Sequence, residues 1–189
     1  MKKLLIGMLI SFCLVAIQSR SVQAQEDAPT RKQERLDRKK AKALEFEQEK
    51  AEVARLAQER DLVLEANTLS GKFGFHATPV GANNYVLIDS ADFILQTSSP
   101  AYVGQNGIGG VTIRGTIESY EVTTSGQHVI VVIAQVNTYG LGPATITLNL
   151  MGKQNCRATF STASGIVLNL AGPVTSVSES KVYEGTRLY

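Results

Sequence analysis

Tryptophan is absent from the 189 residues, histidine and cysteine occur twice each, and aromatic residues make up only 6%. Each scarcity closes a class of function. His76 and His128 are far apart, each at a strand position with no second ligand at metal spacing, so neither a metal site nor a bound cofactor is expected. G-x-S-x-G and H-E-x-x-H do not occur, so neither motif assigns a catalytic residue. Cys13 lies in an apolar N-terminal run that is expected to be removed, which leaves Cys156 alone and rules out an intramolecular disulfide in the exported chain. In "NCRATF", Cys156 alternates in phase with Ala158 and Phe160, which predicts a buried, inert thiol on a strand.

Long hydrophobic runs are also lacking, with one exception. Lys2 and Lys3 precede "LLIGMLISFCLVAI", too short to span a bilayer, and "VQA" follows, with small residues at Val22 and Ala24. Residues 1–24 therefore read as a signal peptide cleaved between Ala24 and Gln25, and the mature form is expected to carry no transmembrane span. Loss of Lys2, Lys3 and Arg20 turns 19 Lys+Arg against 17 Asp+Glu into 16 against 17, a net charge of −1. The basic balance belongs to the precursor, and no nucleic-acid partner is expected. The implied location is the periplasm or cell envelope of a Gram-negative bacterium.

Residues 25–66 hold ten Lys/Arg and eleven Asp/Glu, whereas residues 67–189 hold six of each. That shift predicts a boundary near Asn67, with a charged helical arm before it and a β domain after it. Within 30–66 there is no glycine or proline, and "TRKQ" offers a capping box of Thr30 and Gln33. Leu36, Ala43, Ala57 and Leu64 share one seam position and Phe46 and Val53 the other, interrupted by Lys39, Lys50 and Arg60. Two outcomes are open: the last turns, with Val53, Leu56, Ala57, Val63 and Leu64, dock on the next domain, or the helix self-associates as a coiled coil. Residues 31–42 carry seven Lys/Arg against two Asp/Glu, a polarity that opposes the helix dipole and is not explained by local helix stability.

The remainder is strand after strand. "NYVLID", "DFILQT", "VTIRGTIESYEVT", "HVIVVIAQV", "ATITLNL", "CRATFST" and "IVLNL" are short β-rich runs separated by glycine-containing turns. Ile146, Leu148 and Leu150 alternate with Thr145, Thr147 and Asn149, one face inward and one toward water. "VIVVIA" is apolar on both faces, as in a central strand. In "VTIRGTIESYEV" the apolar parity switches, which predicts a bulge near Glu118–Ser119 or a crossing between layers. The fold class is mainly β: an antiparallel β-sandwich or barrel-like meander preceded by one long N-terminal α-helix.

"SSPAYVGQNGIGGVTIRG" places Gly104, Gly107, Gly109 and Gly110 close together. A phosphate loop must open a helix, and this one leads into a strand with no following Lys-Ser or Lys-Thr. It is expected to turn the chain and nothing more. The six carboxylates of the β half, Asp89, Asp92, Glu118, Glu121, Glu179 and Glu184, show no spacing that singles out an acid–base pair. Asp89 and Asp92 flank "SA" in a tight turn.

From about Phe73 onward the chain resembles an uncharacterised domain-of-unknown-function family of small exported Bacteroidetes β proteins. "FGFHATPV", "PAYVGQNGIGGVTIRGTIESYEV" and the closing Tyr183-Glu184-Gly185 carry the resemblance. Where that family reads Leu-Pro-aromatic-x-Gly before the glycine loop, this chain has Ser99 for the Leu, and Ala101 separates Pro100 from Tyr102. The resemblance implies a β fold and export, and no activity. The functional expectation is a non-enzymatic envelope protein, a β binding or scaffold domain on a helical stalk. Its partner would be another envelope protein or a second copy. The alternatives are a carrier with an apolar pocket between β layers and a carboxylate-based hydrolase.

Overall fold

In the computed structural model, residues 31–71, 76–77, 83–98, 110–126 and 129–182 are described. The expected cleavage site at Ala24 and Gln25 lies outside them, as do His128 and the family-like ending. By its internal contacts the chain divides into Met1–Ala43 and Leu44–Tyr189.

The charge-dense run forms α1, Arg31–Glu59, with no β-branched residue before Val53 and no internal glycine or proline. It stops earlier than its spacing predicts. Arg60 takes a left-handed φ of 56°, and Asp61–Glu65 is strand β1. The expected helix to residue 66, with Val63 and Leu64 on its docking stripe, is thus corrected. Leu62, Val63 and Leu64 are all fully buried in succession, which a strand paired on both sides accommodates and one stripe of a helix does not. Asn67, where the change of composition places a boundary, lies in the two-residue link between the strands Asp61–Glu65 and Thr68–Gly71.

Ten further strands follow: β2 (Thr68–Gly71), β3 (His76–Ala77), β4 (Tyr85–Asp89), β5 (Asp92–Gln96), β6 (Thr112–Ser125), β7 (Val129–Thr138), β8 (Gly142–Met151), β9 (Asn155–Thr162), β10 (Val167–Gly172) and β11 (Val174–Thr175). They form one sheet in the order β11-β1-β4-β5-β6-β7-β8-β9-β10-β2-β3. All its pairings are antiparallel. From β4 to β10 it is a plain meander, the second of the two arrangements left open. The order has two ends rather than closing as a ring, yet the ends share chain. β1 and β2 are successive stretches of 61–71, and β10 and β11 are successive stretches of 167–175 interrupted by Pro173. Glu65 N donates to Pro173 O at 3.0 Å and Asn67 N to Ala171 O at 2.9 Å, bridging the two interruptions.

Ring stacking shows how far the sheet curls. Phe93 on β5 and Phe160 on β9 have centroids 6.0 Å apart and planes 11° from parallel, although three strands separate their own in the sheet. Both rings are buried, so the two strands face each other across one apolar interior.

Alternation fills that interior. Ile146, Leu148 and Leu150 of β8 and Cys156, Ala158 and Phe160 of β9 point in, as their parity predicts. The register of β6 against β7 shifts between Ile117 and Ser119, the expected bulge, and it carries the inward phase from Ile113 and Ile117 to Tyr120 and Val122. β7 is central, between β6 and β8, but only one of its faces is sealed: Ile133 on the other is 40% exposed.

The second half of α1 completes the same core. Val53, Leu56 and Ala57 are at most 1% exposed. The Tyr120 hydroxyl donates to Ala57 O at 2.7 Å, satisfying a last-turn carbonyl that has no partner within the helix. The Arg60 guanidinium lies 4.8 Å from the Tyr120 ring centroid. Lys153 Nζ pairs with Glu52 at 2.7 Å. Docking is therefore what residues 44–59 do, in agreement with the first of the two helix expectations.

Candidate functional site: a polar groove on the outer face of the sheet

The glycine loop is answered at its stem, residues 99–109 being outside the described part. A Cβ on Gly110 would sit 1.9 Å from Thr97 O, so glycine is required there by close backbone approach. Thr97 and Val111 exchange hydrogen bonds, N to O at 2.9 Å and, in return, Val111 N to Thr97 Oγ1 at 3.2 Å. The Asn84 side chain clasps Ser98, donating to its Oγ at 2.7 Å and accepting from its N–H at 2.6 Å. Gln96 Nε2 donates to Asn83 O at 3.1 Å, and Thr112 Oγ1 donates to Gln96 Oε1 at 3.1 Å. Buried polar groups that satisfy one another this way fix a stem. Nothing at this stem resembles a phosphate cradle.

Cys156 is 1% exposed, and its thiol donates to Gly152 O at 3.1 Å. Burial pushes it up to about 11, away from the thiolate form that a nucleophile or metal ligand needs. Asp89 and Asp92 pair across the β4–β5 turn, where Ser90 has a φ of 56° and its hydroxyl donates to Asp89 Oδ1 at 3.1 Å. Glu118 lies at the bulge of β6 and Glu121 further along it, while Glu179 Oε2 accepts from Thr175 Oγ1 at 3.1 Å. Glu184 lies outside the described residues. Among the described residues no three His, Cys, Asp or Glu side chains gather where they could hold a metal ion. His76 stands in β3, opposite Ser70.

The outer face of β8, β9, β10 and β2 has a different character. Cross-strand register aligns Asn149, Arg157, Ala171 and Thr68 in one row, and Thr147, Thr159, Asn169 and Ser70 in the next. All of these except Thr147 line one or both of two adjoining grooves of about 510 and 620 Å³ that share Thr68, Asn149, Arg157 and Ala171. Thr159 Oγ1 donates to Asn169 Oδ1 at 2.9 Å, which orients the amide within its row. Among the described residues Arg157 is the one charged residue lining either groove, and no carboxylate lines them. Its strand position is exposed, and no ion pair involving it is found among the described residues. Chemically, the surface offers amides, hydroxyls and one cation, suited to hydrogen bonding and to a single anionic group.

Sequence reasoning did not single out these groove residues. Their outward phase is legible, since Arg157 and Thr159 alternate with Cys156, Ala158 and Phe160. Which outward residues become neighbours depends on register, which parity alone does not fix.

The fold and surface define a class: a mainly β protein with one preceding helix, whose apolar interior is filled by its own side chains. Within that class, the structure is similar to the crystal structure of a DUF4251 family protein from Bacteroides eggerthii, at 28% identity and a TM-score of 0.54. The match covers 69% of this chain and 90% of that one. This likeness supports the resemblance read in the sequence, to an uncharacterised domain-of-unknown-function family of Bacteroidetes proteins. No family model matches the chain. No curated protein matches it.

Proposed function

We propose that this is a non-enzymatic exported protein of the cell envelope, and that its β domain binds a polar partner along the groove of β8, β9, β10 and β2. The observation that carries the reading is that groove: two aligned rows of mainly Asn, Thr and Ser with Arg157 as the one charge among the described lining residues. A scaffold with an undifferentiated surface has no need to leave a cation among neutral amides without a carboxylate beside it. The partner complementary to this surface presents hydrogen-bonding groups and one carboxylate or phosphate for Arg157. Export is supported by the charged start, short apolar run and small-residue cleavage pattern that ends at Ala24.

The carrier alternative receives no support from the described residues, because Phe93, Phe160, Leu148 and Leu150 occupy the interior where its pocket would lie. The hydrolase alternative would need two converging carboxylates; of those weighed in the β half, Asp89 and Asp92 sit in a turn, Glu118 and Glu121 on β6, and Glu179 beside Thr175 in a shallow cleft that Glu65 and Lys181 also line. The test is site-specific photo-cross-linking in intact cells from Asn149, which both grooves share, with Thr116 on β6 as the comparison. Capture from Asn149 alone, abolished by Arg157→Glu, is the expected result. Equal capture from both positions, or capture indifferent to Arg157→Glu, would dismiss the groove.

A further inference from the structure

We propose that residues 31–42 of α1 dock the mature protein on an anionic phospholipid surface. On a helix turning about 100° per residue, Arg31, Lys32, Arg35, Arg38, Lys39 and Lys42 fall within roughly 120° of arc. Glu34 and Asp37, the acids of this stretch, fall outside that arc, and all its positions are exposed. Gln33 Nε2 donates to Asp37 Oδ1 at 3.4 Å, so one acid is engaged on the far side. No ion pair is found for the six cations among the described residues.

Several facts argue for a lipid surface over a discrete anion. The stripe extends for about 17 Å at a rise of ~1.5 Å per residue, so a free phosphate would meet only one or two of its charges. A plane of anionic headgroups meets them all at once, and each Lys or Arg near such a surface adds to the attraction. Leu36, 44% exposed, borders the basic arc and lines the same shallow depression as Lys32, Arg35 and Lys39, which puts one apolar side chain beside the cations. Cations in the first turns oppose the helix dipole, so helix stability does not account for them. The choice of lipid over nucleic acid rests on the export reading, since an exported chain meets membranes and not a nucleoid.

The test uses the full chain from Gln25 in flotation with vesicles of phosphatidylcholine alone and of phosphatidylcholine with phosphatidylglycerol. The expected result is flotation with the anionic vesicles only, released near 1 M salt, where the screening length is about 3 Å. Reversing Lys32, Arg35, Lys39 and Lys42 to Glu should lower partitioning ~100-fold or more at an unchanged melting temperature. Flotation with neutral vesicles, an unaffected quadruple variant, or binding only to a soluble polyanion such as DNA would each overturn the proposal. The two readings fail separately. A mature form retaining Met1 ends export while flotation stands, and an exported chain that does not float ends lipid docking alone.

Discussion

Leu56→Ala measures how firmly the helix is built into the β domain. Leu56 is 1% exposed and lies between Val53 and Ala57 on the helix stripe that joins the sheet core. Truncation removes its packing atoms from a site walled by a helix on one side and strands on the other, which limits how far the structure relaxes. Substitutions of this kind cost about 2–5 kcal/mol. For a chain of this size each kcal/mol moves Tm by about 2–4 °C, so a loss near 3 kcal/mol corresponds to ~6–12 °C. Leu36→Ala, at an exposed position of the same helix, should change stability by less than about 0.5 kcal/mol. Urea and thermal unfolding of the two variants beside the mature protein supply the comparison. If Leu56→Ala melts with the unsubstituted chain, residues 44–59 are not core, and the reasoning from burial fails.

Three further outcomes follow from particular contacts. Tyr120→Phe keeps the ring beside Arg60 but leaves the buried Ala57 carbonyl without its partner, so it should cost about 1–3 kcal/mol by urea titration; an unchanged midpoint would show that the carbonyl is satisfied without the hydroxyl. Gly110→Ala drives a Cβ to 1.9 Å from Thr97 O and should lower Tm sharply or abolish soluble expression, whereas a melting curve like that of the unsubstituted chain would show that the stem is loose. The Cys156 thiol is raised from 9.0 to about 11 by burial, so above pH 9 the unfolded chain ionises first. Its contribution is present below pH 9 and is lost as pH rises toward 11; Tyr120, raised by burial from 10.0 to about 12, acts likewise at higher pH. Cys156→Ala should flatten the decline in urea midpoint between pH 9 and 11, and an unchanged slope would assign that decline elsewhere.

The sequence made some parts of this structure legible because one period dominated locally. The inward sets of β8 and β9 follow from strict alternation, and the parity break in "VTIRGTIESYEV" located the bulge between Ile117 and Ser119. The end of α1 was misread for the same reason. Leu64 continues the helical spacing of Leu36, Ala43 and Ala57, while the succession Leu62-Val63-Leu64, buried in the fold on both faces, is the stronger strand signal. The curl of the sheet was not legible, because the Phe93–Phe160 stack joins residues 67 positions apart that share no local pattern. The groove was hidden likewise: Thr68, Asn149, Arg157 and Asn169 come from four strands, and only their register brings them together.

Cross-linking from Asn149 in intact cells tests the central claim most directly, because it asks in one step whether the groove has a partner where the protein resides. The account predicts an adduct in the envelope fraction from Asn149, none from Thr116, and loss of the adduct when Arg157 is changed to Glu. An adduct pattern that is the same at Asn149 and Thr116, or that survives Arg157→Glu, would contradict it.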